Sequence, residues 1–98
     1  MLIKEKIIME SKIAQMPGNI VSDMDGEKVM LNIDNGNYYN LGEMGGVIWE
    51  MIKEPNSVDN LINELLLEYE VEKKDCENQV ISFINKLYSE GLISVVNR

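Results

Sequence analysis

The sequence contains no histidine and a single cysteine, Cys76. Without histidine, the commonest general base and the commonest metal ligand are both missing. One cysteine permits neither an internal disulfide nor a thiolate zinc cluster. Basic residues are also scarce, 9 against 17 acidic ones, for a net charge of −8. Nucleic-acid affinity rests largely on Lys and Arg replacing counterions, so a phosphate backbone is repelled by such a chain. The charge suits a basic or neutral peptide, or it simply keeps an acidic surface solvated. No apolar run approaches the roughly 20 residues that span a bilayer. The opening Met-Leu-Ile-Lys-Glu-Lys-Ile-Ile run is too charged and too short for a signal peptide. These absences lead us to expect a soluble cytoplasmic protein with no cofactor, no bound metal, no nucleic-acid partner and no membrane partner.

What remains is 98 residues with 45 % apolar content, enough for one domain over 1–98 with a modest core. Residues 1–18 read as an N-terminal arm or an edge strand, closed by the turn signal Pro17-Gly18. A three-stranded antiparallel meander follows over 19–41, its strands predicted at Asn19 to Asp23, Glu27 to Ile33 and Asn37 to Leu41. In the second of these, Val29, Leu31 and Ile33 share one face while Lys28, Met30 and Asn32 share the other. Asp25-Gly26 makes the first turn. Asn35-Gly36 is the preferred pair for a two-residue type I′ turn, and it is assigned the second.

Three helices are predicted within 43–90. Gly42 stands where an N-cap belongs, and Met44, Val47, Ile48, Met51 and Ile52 mark one helical face, with Trp49 half-buried beside it. Gly45-Gly46 in the first turns costs about 1 kcal/mol per glycine against alanine, which implies close packing there, against the sheet. Ser57 caps the second helix, followed by Leu61, Ile62, Leu65, Leu66 and Tyr69 at helical spacing. The third carries a wide apolar arc of Cys76, Val80, Ile81, Phe83, Ile84, Leu87 and Tyr88, and Gly91 ends it before a short strand at 92–96. The fold class is therefore α+β, a three-stranded N-terminal sheet followed by three helices, with the look of a winged helix-turn-helix.

Catalysis has no constellation to rest on, since the acidic residues fall on polar faces and turns. Cys76 lies on an apolar arc, where free cysteine behaves as a small hydrophobe. A winged-helix regulator needs basic side chains on its recognition helix. Here Lys73, Lys74 and Lys86 are set against Glu72, Asp75, Glu77 and Glu90.

A hairpin running straight into a helix leaves its last strand near a sheet edge, where unpaired N–H and C=O groups accept a strand from another chain. Asp25 to Ile33, then Gly36-Asn37-Tyr38-Tyr39-Asn40-Leu41, then Gly45-Gly46-Val47-Ile48-Trp49-Glu50 resemble the PqqD-like proteins. Ser57-Val58-Asp59, Tyr69 and the series from Val80 to Ile93 extend that resemblance over roughly 19–96. Gly42 departs from it, since such proteins often carry Asn there. The family comprises recognition elements that bind the leader of ribosomally made precursor peptides. The resemblance implies a non-catalytic adaptor whose third meander strand accepts the leader as a further antiparallel strand, against the third helix. Its partners would be the precursor leader and a leader peptidase and cyclase of lasso-peptide clusters, or alternatively a radical SAM maturase or another modifying enzyme. Monomer and weak homodimer both remain open.

The candidate peptide-binding residues are Asn37, Tyr38, Tyr39, Asn40 and Leu41 on the strand, and Cys76, Gln79, Val80, Phe83, Lys86 and Leu87 on the helix. For Tyr39 and Leu41, ordinary core packing is the alternative role. The helix offers two margins, one of Cys76 and Phe83 with Gln79 and Lys86, the other of Ile81 and Tyr88; the first is assigned to the cleft. If the N–H of Tyr39 points at the ligand, a proline there should abolish binding.

Overall fold

Asp25 is the one non-glycine residue among those described with a positive φ, 55°, and Gly26 follows at 85°. This is the left-handed pair that a two-residue type I′ turn requires, and it joins Met24 to Glu27. In the computed structural model, which describes residues 7–96, that turn links β2 (Asn19–Met24) to β3 (Glu27–Asn32). β4 (Tyr38–Leu41) pairs with the far side of β3, giving an antiparallel sheet of order β2-β3-β4.

The β3–β4 connection corrects the expected two-residue turn. Strand pairing stops at Asn32 and Asn37, and Gly36, at φ 72°, donates its N–H to the Asn32 carbonyl at 2.8 Å. Two asparagine side chains hold this longer loop: Asn32 Oδ1 accepts the Asn35 N–H at 2.9 Å, and Asn35 Oδ1 accepts the Asn37 N–H at 2.8 Å. Such local side-chain bonds compete with a tight turn.

Three helices follow: α1 (Gly42–Met51), α2 (Val58–Glu68) and α3 (Lys73–Ser89). Asn60 donates its N–H to the Ser57 hydroxyl at 3.1 Å, capping α2. α3 ends in a Schellman motif: the Gly91 and Leu92 N–H groups reach the Tyr88 and Leu87 carbonyls, with Gly91 at φ 78°. The buried stripes are Leu61, Ile62 and Leu65 on α2 and Cys76, Val80, Ile84 and Leu87 on α3. Trp49, expected to be half-buried, is only 3 % exposed.

The N-terminal arm is not an edge. β1 (Lys12–Gln15) is the central strand of a second antiparallel sheet, order β5-β1-β6, between β5 (Asn56–Ser57) and β6 (Ile93–Val95). Gln15 is tied to α1 as well, its Nε2 donating to the Trp49 carbonyl at 2.7 Å. Residues 1–6, part of the predicted arm, lie outside the described residues.

The adjacent glycines Gly45 and Gly46 of α1 admit different neighbours. A Cβ on Gly46 would collide with the stem of Lys28 on β3, at its Cβ and Cγ. A Cβ on Gly45 would sit 2.9 Å from Phe83 Cζ on α3 and 3.3 Å from Leu41 Cβ. Packing against the sheet thus explains Gly46, whereas Gly45 makes room for α3. Gly46→Ala gains about 1 kcal/mol of helix propensity and loses about 1–3 kcal/mol to overpacking near the root of Lys28. We expect thermal denaturation to show a Tm several degrees below that of the parent, at about 4–8 °C per kcal/mol.

Candidate functional site

β4 has one strand neighbour, β3, and among the described residues its other edge is open. Which backbone groups face that edge follows from the ladder. Asn32 donates its N–H to the Asn37 carbonyl at 3.0 Å, and the register continues as Leu31 with Tyr38, Met30 with Tyr39, and Val29 with Asn40. Hydrogen-bonded and non-hydrogen-bonded pairs alternate, so Met30 and Tyr39 form the next bonded pair. The N–H and C=O groups of Tyr38 and Asn40 therefore point out of the sheet. The expectation that tied ligand pairing to the Tyr39 N–H is corrected: that group faces Met30.

Side chains alternate with the same period. Tyr39 and Leu41 turn inward, Leu41 being 7 % exposed, while Tyr38 and Asn40 turn outward. Tyr39 serves both roles weighed for it: it packs on the core and also lines a groove. Its hydroxyl donates to Glu90 Oε1 at 2.9 Å and accepts from Asn35 Nδ2 at 3.1 Å. That pair of bonds fixes the strand loop against the end of α3. Asn40 Oδ1 accepts the Gly42 N–H at 2.9 Å, and Gly42 takes φ 73° where the strand becomes helix.

Between β4 and α3 lies a groove of about 370 Å³ lined by Tyr38, Tyr39, Asn40, Leu41, Phe83, Lys86 and Leu87. A second, of about 340 Å³, continues past Leu41 and Phe83 and is walled by Glu43, Met44, Gly45, Ile48 and Gln79. Phe83 and Leu41 form the divide between them. The walls are mainly apolar, with Lys86 on the first groove and Glu43 on the second. The Tyr69 hydroxyl lies 3.5 Å from Glu43 Oε2, and burial, helped by Glu43 and Glu68, pushes its phenol above the ordinary value.

Of the helix residues predicted for the cleft, the structure brings Gln79, Phe83, Lys86 and Leu87 to these walls. Cys76 and Val80 are corrections: at 1 % and 0 % exposure they are core residues lining neither groove. Asn37, exposed at the strand entrance, lines neither groove. The opposite margin of α3 faces elsewhere, Ile81 bordering Ile7, Ile8 and Met9. The contribution of α1 was missed. Leu41, Gly45 and Ile48 fall at helical spacing, and that stripe was the available signal.

Burial, with a smaller contribution from Glu77, pushes the Cys76 thiol up. The thiol form is stable below the unfolded pKa of about 8.5, and stability is lost as pH rises through the higher folded value. We therefore expect Ellman's reagent to label Cys76 slowly in native protein at about pH 8 and promptly in urea. Among the described residues, no group of three or more His, Cys, Asp or Glu is placed to hold a metal ion. No helix among them is long and apolar enough to cross a membrane.

Residues 27–93 match the family model described as coenzyme PQQ synthesis protein D (PqqD). The chain belongs to the PqqD family. Two solved structures share the fold of this PqqD-family chain. One, "TbiB1 in Complex with the TbiA(beta) Leader Peptide", gives a TM-score of 0.73 at 22 % identity, covering 83 % of this chain and 94 % of that one. The other, "Lasso peptide synthetase B1 complexed with the leader peptide", gives 0.72 at 24 % identity, covering 84 % and 96 %. No curated protein matches the PqqD-family chain significantly.

Proposed function

We propose that this PqqD-family protein is a non-catalytic adaptor acting in the cytoplasm as a single peptide-recognition domain over 1–98. It holds the leader of a ribosomally made precursor peptide while partner enzymes, in a lasso-peptide cluster a leader peptidase and a cyclase, act on the attached core. The observation that carries this reading is the open β4 edge standing directly over two apolar grooves on α3 and α1. The leader adds antiparallel to β4, bonding to the backbone of Tyr38 and Asn40. Both structural neighbours are complexes with leader peptides, which supports the assignment.

Energetics require the grooves as well as the edge. Fixing each peptide residue costs about 1–2 kcal/mol, and each main-chain hydrogen bond returns about 0.5–1.5 net. Strand pairing alone thus comes out near zero. Each apolar side chain fully buried in a groove contributes about 1.5–3 kcal/mol, so two or three anchors give affinity on the order of micromolar. The winged-helix likeness then concerns architecture only, since a net charge of −8 disfavours DNA.

Titration with labelled leader peptides encoded beside the gene, followed by fluorescence anisotropy, tests the assignment. Saturable binding in the micromolar range or below is expected, and no binding at about 100 μM would overturn it. The family resemblance implies a second reading, with a radical SAM maturase as the partner enzyme; leaders from such clusters belong in the same titration.

A further inference from the structure

The β2-β3-β4 sheet buries one face and leaves the other bare. On the bare face Ile20, Leu31 and Tyr38 stand directly opposite one another in a single row across the three strands. Ile20 is 52 % exposed and Tyr38 73 %. The half-buried Val29 extends the apolar surface along β3, and Ile33, 60 % exposed, adds to it in the turn just beyond the strand. This inverts the usual pattern: on β3 the aliphatic pair Val29 and Leu31 faces outward, while Met30 and the hydrogen-bonded amide of Asn32 face the core. A contiguous exposed apolar face rimmed by polar residues marks an interaction surface.

We infer that this bare sheet face is the docking surface for the enzyme that processes the bound leader. It would take a complementary apolar patch flanked by Lys or Arg. This rests on the leader-binding reading and goes beyond it.

Two observations select that occupant. The first is charge. Among the described residues, the only acidic or basic side chain on this face of the three strands is Glu27, with Asp25 at the turn beyond it and Asp34 in the loop at the other end. Lys28 turns to the opposite face and bonds Asp23 at 2.9 Å. A second copy stacked on this face would bring two chains of charge −8 together through the same acidic rims, whereas a basic-rimmed partner is attracted. The second is continuity. Tyr38 belongs both to the row and to the first leader groove. A strand added beside β4 places its own outward side chain next to Tyr38, lengthening the row Ile20, Leu31, Tyr38 by one residue. The enzyme would meet adaptor and leader on one surface.

The test uses the full chain carrying Ile20→Asp and Ile33→Asp, two exposed positions outside the leader grooves. Ile20→Ser with Ile33→Ser serves as the milder pair should the first fail to fold. Leader affinity is measured by anisotropy, affinity of the leader-loaded chain for the purified processing enzyme encoded beside the gene by calorimetry, and self-association by sedimentation. Leader affinity should stay within about twofold of the parent while enzyme affinity falls about tenfold or more. Parental enzyme affinity should also weaken between about 0.05 and 0.5 M salt. Unchanged enzyme affinity in the variant overturns the inference, as does a parental dimer that the variant dissolves or parental binding to anionic vesicles that it abolishes. Loss of leader binding by the parent chain would instead sink the adaptor reading itself.

Discussion

Tyr38→Pro is expected to abolish leader binding and leave the fold intact, whereas Tyr39→Pro is expected to damage the fold. The two adjacent positions differ only in which way their backbone groups point. Proline removes the N–H and is tolerated on an edge strand where that N–H faces outward. At Tyr38 the lost donor is one the sheet does not use, since the Leu31 and Tyr38 pair is non-hydrogen-bonded. The pyrrolidine ring then occupies the space in which an added strand would lie. Losing one hydrogen bond is worth about 0.5–1.5 kcal/mol, or up to about tenfold in affinity. The steric block should take the total well beyond that. At Tyr39 the same substitution removes a ladder bond to Met30, a core residue at 0 % exposure, together with the hydroxyl contact to Glu90. Circular dichroism melts and leader anisotropy on both variants separate the cases. A Tyr38→Pro protein that folds and binds at parental affinity would exclude β4 as the docking edge.

How much of this was legible in the sequence depends on the range of the interaction that decides each element. The helices are local: Leu61, Ile62 and Leu65, then Val80, Ile84 and Leu87, recur at the helical period and are the buried stripes. The Ser57 cap and the Gly91 stop are equally local. β1 was not legible as a central strand, because its partners are a two-residue strand before α2 and a three-residue strand after α3. No window around Lys12 contains either. On β3 the alternation was visible, but its polarity was not. Three aliphatic residues on one side outweigh Met30 and Asn32 on hydrophobicity, yet Asn32 is buried with its amide satisfied, donating to Asn19 on β2 and accepting the Asn35 N–H of the loop, partners that only the fold brings together.

The cleft residues on α3 show the same limit at finer scale. Gln79, Phe83 and Lys86 form one stripe, and Cys76, Val80 and Leu87 lie on the neighbouring one. A periodicity argument assigns both to an apolar arc that meets the sheet. Only the position of β4 and α1 decides that the first stripe borders open grooves while Cys76 and Val80 are sealed beneath.

Phe83, shared by both grooves, is where the largest side-chain effect on binding should fall. Phe83→Ala removes the wall common to both grooves, and with it the apolar surface against which a leader anchor would be buried. Burial of one anchor is worth about 1.5–3 kcal/mol, so affinity should fall roughly tenfold to a hundredfold. Stability should fall less than the roughly 3–5 kcal/mol of a fully buried phenylalanine, because this ring is half-buried. Gly45→Ala separates lost surface from altered shape. Its new Cβ meets the tip of the Phe83 ring, which swings aside cheaply, and the helix gains about 1 kcal/mol of propensity. The Tm of Gly45→Ala should therefore hold or rise while leader affinity drops, because the displaced ring moves into a groove. Anisotropy titrations paired with thermal melts read both quantities. If Gly45→Ala and Phe83→Ala both bind leader as the parent does, the anchors lie elsewhere and the grooves on either side of Phe83 are not where the peptide is held.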